Sequence, residues 1–197
     1  MSGIIGSRLN IRGSGLVGSL GTDGQVFTSS GAGAGAVYEA VSGGKILQIV
    51  QTTSTSGTLH NSISTYTASN VTGAITPTAA SSKIIVQAFY LAGSSTNGNA
   101  QAGGAFKLYR DIEAAGFAAL WPGTVGGVQF QIRHTHGTDE LTHRAYQTIV
   151  YLDAPSYTLT DEITYTLYGA AGPSGYGNVS SSPDGDSAAV ILMEVAA

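Results

Sequence analysis

The sequence contains one histidine pair with the spacing of a metal site. His134 and His136 are separated by one residue, so a β-strand through them would place both imidazoles on one face. Imidazole nitrogens are common ligands of transition metals, and we expect His143 to lie opposite the pair across a hairpin. The pair falls in a predicted turn and occurs once. We therefore interpret these histidines as polar turn residues and expect no metal and no cofactor, with His134 and His136 as the metal candidates.

Carboxylates occur in pairs, but not at a catalytic spacing. Asp139 and Glu140, like Asp161 and Glu162, are adjacent in the chain, and adjacent residues of a strand point to opposite faces. Glycoside hydrolysis requires two carboxylates that face one bond from both sides. Residues 184–186 resemble a fragment of a calcium loop without the remaining ligands. We interpret these residues as solvated turn charges and predict that the protein is not an enzyme.

The predicted loops carry aromatic residues that could contact a ligand. Trp121 lies in a loop over 116–127 and Tyr176 in a loop over 169–186, and a third loop is predicted over 93–103. Asn, Ser, Tyr and Trp are residues that contact sugars and protein surfaces. Trp121 also suits a buried position in the core. Trp121 and Tyr176 are therefore the candidates for a ligand-binding loop surface.

The composition restricts the class of protein. The chain has 197 residues, a formal net charge of −4, 10% charged residues and no cysteine. The negative net charge argues against a nucleic-acid partner, and the lack of cysteine removes disulfides and thiolate chemistry. The first residues lack the apolar run of a secretory signal, and no run approaches the length of a membrane span. We expect a soluble protein without membrane insertion and without a standard signal peptide.

The elements that must position these residues are β-strands. Apolar and β-branched residues alternate with polar ones along short segments that turn residues separate, and no helical period is present. This pattern predicts an all-β domain over 45–197, an antiparallel β-sandwich of jelly-roll type with about eight strands. The predicted strands are 45–53, 58–68, 83–91, 104–110, 128–133, 141–152, 163–168 and 188–195.

Residues 1–44 form a different region, an extended N-terminal arm followed by a glycine-rich neck. Gly, Ala and Ser dominate the neck, so it cannot bury enough apolar surface alone to become ordered. We expect it to order against sibling copies of the chain or another protein. The predicted docking residues of the arm are Ile4, Ile5, Arg8, Leu9, Ile11 and Arg12, and the predicted contacts of the neck are Leu16, Val17, Leu20, Val26 and Phe27.

The neck also carries a resemblance to a known group of proteins. Residues 18–33, which include Gly-Thr-Asp-Gly-Gln-Val-Phe-Thr-Ser, resemble a repeat found in fibres and other virion surface proteins of tailed bacteriophages. Residues 75–86, 152–155 and 191–196 look like parts of the C-terminal β domains of marine phage structural proteins. This chain has one copy of the repeat and no long shaft, which favours a compact appendage over a long tail fibre.

The resemblance implies a trimer that attaches to the particle through its N-terminal end and exposes its C-terminal domain. We accordingly expect a virion structural protein, assembled in the host cytoplasm, that acts as a capsid decoration or spike protein. Its partners would be two further copies of the chain and other virion proteins of the capsid or tail. The alternative is a short tail fibre that adheres to a glycan or protein of the host surface.

Overall fold

All regular structure in the described part of the chain is β-strand. The computed structural model describes residues 22, 25–28, 37–40, 46–63, 65–96, 101–120, 130–135, 142–172, 178–182 and 185–197, which contain no helix. The all-β class predicted from the sequence is confirmed. The chain divides into two units, Met1–Gly44 and Lys45–Ala197, and each is described by itself.

The first unit contains a two-stranded antiparallel ladder. β1 (Gln25–Thr28) pairs with β2 (Val37–Ala40), and the rings of Phe27 and Tyr38 contact each other across the ladder with centroids 5.0 Å apart. The sequence did not predict these paired strands, because the neck was expected to become ordered only against a partner. A ladder of two strands is marginally stable alone.

Six strands of the second unit form its larger sheet. The longest of them, β6, lies at the centre, with β10 on one side and β13 and β12 on the other. β3 pairs with β13 and β4 pairs with β12, so each lies at an edge. The bounds are β3 Ile46–Ser54, β4 Thr58–His60, β6 Lys83–Ser95, β10 Thr142–Asp153, β12 Asn178–Ser181 and β13 Ala188–Val195.

The other five strands form the second sheet of this unit. β11 lies between β5 and β7, and β8 and β9 pair with different parts of the far side of β7. Most of these strands alternate buried and more exposed residues, so one face of the sheet is apolar. The bounds are β5 Thr67–Ile75, β7 Gln101–Ile112, β8 Ala118–Ala119, β9 Phe130–Thr135 and β11 Ile163–Ala171.

Both sheets contribute their buried residues to one core. Tyr90 of the six-stranded sheet meets Phe106 of the five-stranded sheet edge to face, with ring centroids 5.3 Å apart. Gly73 permits a close approach elsewhere, because a Cβ at this position would lie 3.0 Å from Cγ1 of Val190. The two sheets therefore pack through large side chains at Tyr90 and Phe106. At Gly73, the side chain of Val190 packs directly on the backbone of the five-stranded sheet.

A partly buried ion pair also links the two sheets. Arg110 on β7 donates from one guanidinium nitrogen to both carboxylate oxygens of Asp153 on β10, at 2.8 Å each. The hydroxyl of Tyr165 on β11 donates to Oδ2 of the same carboxylate at 2.8 Å. Asp153 is almost fully buried, and these donors compensate the loss of its hydration.

The carboxylate of Glu194 on β13 forms hydrogen bonds with the backbone of the segment after β5. It is fully buried and accepts hydrogen bonds from the backbone nitrogens of Thr78 and Ala79 and from the amide of Gln48, at 2.8 to 3.0 Å. Burial alone would raise the pKa of Glu194, but the hydrogen bonds outweigh it and lower the pKa to about 2. This carboxylate stabilises the fold above its unfolded pKa of 4.5, and the contribution is lost as the pH falls towards 2.

His60 on β4 is a second buried ionisable group. Nδ1 lies 2.7 Å from Oγ1 of Thr67, and Nε2 lies 3.3 Å from Oγ of Ser181. Because the Thr67 hydroxyl donates to the carbonyl of Gly169, it accepts from Nδ1, and Nε2 accepts from Ser181. Gly169 is required beside the ring, since a Cβ there would lie 2.5 Å from Cδ2 of His60. Burial lowers the pKa of His60 to about 4, so the ring is neutral at pH 7.

The sequence predicted some strands well and others wrongly. The last strand has the predicted bounds, Ala188–Val195. The loop predicted over 93–103 is wrong at both ends, because β6 continues to Ser95 and β7 begins at Gln101. The hairpin predicted between the strands now named β9 and β10 is also wrong, since β9 pairs with β7 and β10 pairs with β6.

We expect the free energy of unfolding to fall by about 2 kcal/mol between pH 7 and pH 5 because of His60. Its folded pKa of about 4 lies below its ordinary value of 6.5. The unfolded chain therefore binds more protons over this range, and acid favours unfolding. Urea unfolding at both pH values measures the difference.

The variant His60→Asn should be less stable at pH 7 but should show a flatter pH dependence between pH 7 and pH 5. His143→Asn is the matched control, because His143 is an exposed histidine on the same sheet. The control should keep the wild-type dependence. An unchanged slope in His60→Asn would contradict the assignment.

Candidate functional site

Part of the outer face of the six-stranded sheet is rich in apolar side chains. On β10, Ile149 points into the core, whereas Tyr146, Val150 and Leu152 point outward and are 73%, 60% and 55% exposed. Ile49 on β3, at the other side of the face, is 61% exposed. Alternation along a strand normally places polar residues on the outer face of an antiparallel sheet. Here both faces carry apolar side chains.

The strand register aligns outward residues of β10, β6, β13 and β3 in three rows. We name these twelve positions the assembly face. Each row runs perpendicular to the strands, and its members are direct partners in the ladders. The side chains of one row therefore contact one another. The rows are Leu152, Ile85, Met193 and Ile49; Val150, Gln87, Ile191 and Gln51; and Thr148, Phe89, Ala189 and Thr53.

None of these twelve side chains is charged, and eight of them are apolar. Lys83 and Arg144 lie beyond the rows, at opposite ends of the face. The rows cover about 400 Å², from a strand spacing of about 4.8 Å and a rise of about 3.3 Å per residue. The outward side chains of Ile46, Leu47 and Tyr146 enlarge this area.

Such a surface favours contact with another protein surface over contact with water. The largest apolar patch of a typical monomer covers about 300 to 600 Å² and often marks an interaction site. Burial of this face would release roughly 25 cal/mol per Å² of apolar area, and it would leave no charge without a partner. Gln and Thr side chains on the face can hydrogen-bond across an interface.

Most of the site residues predicted from the sequence lie outside the described residues. This holds for all six residues of the docking arm, for three of the five neck contacts, and for Trp121, Tyr176 and His136. Val26 and Phe27 are described, and both are exposed on β1, with 44% and 48% of their surface accessible. The predictions for all these residues remain predictions.

The predicted arrangement of the histidines is wrong. The backbone of His134 lies on β9 opposite Ala102, whereas His143 lies on β10 opposite Ser94. The two histidines therefore belong to different sheets instead of facing each other in one hairpin. Where the chain is described, no three His, Asp or Glu side chains converge in a way that could hold a metal ion.

The second predicted carboxylate pair lies in a turn. Oδ2 of Asp161 accepts a hydrogen bond from the nitrogen of Thr158, and the nitrogen of Glu162 donates to a carboxylate oxygen of Glu113. Asp161 therefore shapes the turn before β11, and Glu162 links this turn to the end of β7. Asp139 and Glu140 lie outside the described residues.

Sequence reasoning missed the assembly face, although a signal was present. The run Val190, Ile191, Leu192 and Met193 is apolar at every position, which is typical of a strand that is covered on both faces. In the second unit the inward residues Val190 and Leu192 are buried, and Ile191 and Met193 keep partial exposure. A fully apolar strand with one partly exposed face is typical of a surface that takes part in an interaction.

No family model matches the chain, and no curated protein matches it. The described residues include no helix long and apolar enough to cross a membrane.

Proposed function

We propose that the chain is a non-enzymatic virion structural protein, a homotrimeric capsid decoration or spike protein with its β domain facing outward. The observation that supports assembly is the uncharged, apolar assembly face. The resemblance of residues 18–33 and of the body segments to phage surface proteins supports the virion location.

We further propose that the two sheets of the second unit form a β-sandwich related to the jelly roll. The shared core and the contact between Tyr90 and Phe106 support face-to-face packing of the sheets. The pairing of β6 with β10, β13 and β12, all distant in sequence, supports long connections between the sheets.

The occupant proposed for the assembly face is further copies of the same chain. A stable interface buries about 800 Å² per partner, which is more than the face provides alone. Three faces directed at one axis would each contact two neighbours, and the neck would add further area. The exposed Val26, Phe27 and Val37 on the ladder of the first unit are apolar side chains suited to such contacts.

In this proposal the N-terminal arm binds the particle. Ile4, Ile5, Leu9 and Ile11 would dock against a capsid or tail surface, and Arg8 and Arg12 would pair with its carboxylates. Three arms on one trimer would bind more tightly than one, because the second and third contacts form within the same assembly.

The alternative function is a short tail fibre that adheres to a host glycan or protein. One observation favours it: the aromatic residues Tyr66, Tyr109, Phe117 and Tyr168 contact one another in a continuous line in the five-stranded sheet and its flanking segments. Trimer formation through the assembly face is compatible with both functions, since both use an appendage with three outward domains.

We expect Val150→Lys to convert the trimer to a monomer. The substitution would place a charge without a partner in the middle row of the face, at its β10 side, where the interface would bury it. Association should weaken at least 100-fold, while circular dichroism stays that of a β protein because Val150 is 60% exposed. Light scattering on the full chain measures the mass.

Leu159→Lys is the matched control for this substitution. Leu159 is an exposed apolar residue in the turn before β11, outside the assembly face. The control should remain a trimer. A Val150→Lys protein with the same mass as the wild type would remove the assembly face from the interface.

Deletion of residues 1–44 should abolish incorporation into the particle, because the proposed docking residues all lie in this region. The remaining chain keeps all the described strands of the second unit, so it should stay folded. Cosedimentation with particles that lack the protein measures binding. Retained binding of the folded, truncated chain would contradict docking through the arm.

A further inference from the structure

Four aromatic rings lie in a continuous line on the side of the second unit that the five-stranded sheet forms. The rings of Tyr109 and Tyr168 stack at 4.1 Å with an angle of 28° between their planes. Tyr66 continues the line on one side, 6.5 Å from Tyr109, and Phe117 continues it on the other, 5.6 Å from Tyr168. We name these residues the aromatic line.

Strand register and one glycine bring these distant residues together. On β7 and β11, Tyr109 pairs with Thr166 and Tyr168 pairs with Lys107, so the two tyrosines are diagonal neighbours on one face. Phe117 follows Gly116, which has a φ of 107° at the end of the turn after β7, where Glu113 and Ala114 also have positive φ. The nitrogen of Gly116 donates to Oδ1 of Asp111 at 2.8 Å, which fixes this turn.

Polar groups flank the rings on both sides. Nζ of Lys107 lies 4.5 Å from the centre of the Tyr66 ring, and Asp111 lies near Tyr168. Burial, the Tyr109 ring and the Asp111 carboxylate all raise the pKa of Tyr168. The tyrosine hydroxyls therefore stay protonated, and each can donate and accept a hydrogen bond.

Exposure distinguishes the aromatic line from a buried core cluster. Phe117 is 40% exposed, and all three tyrosines keep partial exposure, whereas Phe106 and Leu108 on the opposite face of β7 are fully buried. Ring surface is thus presented to solvent beside an ammonium, a carboxylate and three hydroxyls. An apolar partner alone would leave these polar groups without water and without hydrogen bonds.

We propose that the aromatic line is a binding site for a neutral pyranose sugar. One face of such a ring carries C–H groups that can pack on Phe117 and Tyr168, and its rim carries hydroxyls that can hydrogen-bond to Lys107, Asp111 and the tyrosines. One cation and one anion at the site balance each other, which matches an uncharged ligand. The site lies on a different sheet from the assembly face and does not depend on trimer formation.

Saturation-transfer NMR on the full chain tests this assignment. The probes are the methyl glycosides of glucose, galactose and N-acetylglucosamine, each with a single pyranose ring. We expect transfer to the C–H protons of at least one probe, with a dissociation constant on the order of millimolar for so small a ligand.

Three variants and one control identify the site. Phe117→Ala and Tyr168→Ala should each weaken binding at least tenfold, and Phe117 lies in a turn outside the strands, so its loss should leave the sheet folded. Tyr168→Phe keeps the ring and should bind within about threefold of wild type. Leu159→Ala, an exposed apolar residue outside the aromatic line, should bind as wild type does.

Two results would overturn the proposal. One is the absence of saturation transfer to all three neutral probes. A fourth probe, the methyl glycoside of N-acetylneuraminic acid, carries a negative charge, and binding of this probe alone would also contradict a site for neutral sugars. The other is transfer that is equal in the wild type, Phe117→Ala and Tyr168→Ala. Because each probe is a monosaccharide, a monomeric protein would give the same results, so failure here is distinct from failure of the assembly proposal.

Discussion

The structure of the second unit depends on the burial of one face of each sheet in a common core. Tyr90, Phe106 and Tyr165 lie in that core, and Arg110 and Asp153 link the sheets through a partly buried ion pair. Once the inward face of every strand is occupied, period-two alternation sends all remaining side chains outward. The chemistry of the two outer surfaces is therefore set by the residues between the core positions, and these residues differ between the two sheets.

One outer surface is suited to protein contact and the other to a small polar ligand. The assembly face carries eight apolar side chains and no charge. Contact with water is therefore unfavourable for most of its area. The aromatic line combines rings with Lys107 and Asp111, which favours a ligand that has both C–H faces and hydroxyls. Association through one sheet and sugar binding through the other, as proposed, would suit a virion appendage that presents several identical binding sites.

Local pattern predicted the strands whose residues alternate clearly, and it could not predict pairing between distant strands. Ala188–Val195 was predicted with its observed bounds because it is a run of mostly apolar residues that begins directly after a polar loop. The paired strand Thr67–Ile75 was not, because Asn70 and Gly73 weaken its pattern. The spacing of β9 and β10 suited a hairpin, but long-range pairing placed them in different sheets. The pairing of β11 with β5 and β7 is also long-range, and it brings together Tyr66, Tyr109, Phe117 and Tyr168, which no local signal could group.

Contact between copies of the chain through the assembly face, as proposed, can be tested by distances between spin labels. The chain has no cysteine, so Thr148→Cys offers one labelling site on the face, and Thr164→Cys offers a matched site on the other sheet. Four strands span about 20 Å, so face labels should lie within about 30 Å of one another, and Thr164 labels should lie farther apart. The absence of dipolar coupling between labels at position 148 would contradict contact through the assembly face. Distances between labels at position 164 that are shorter than those at position 148 would contradict it as well.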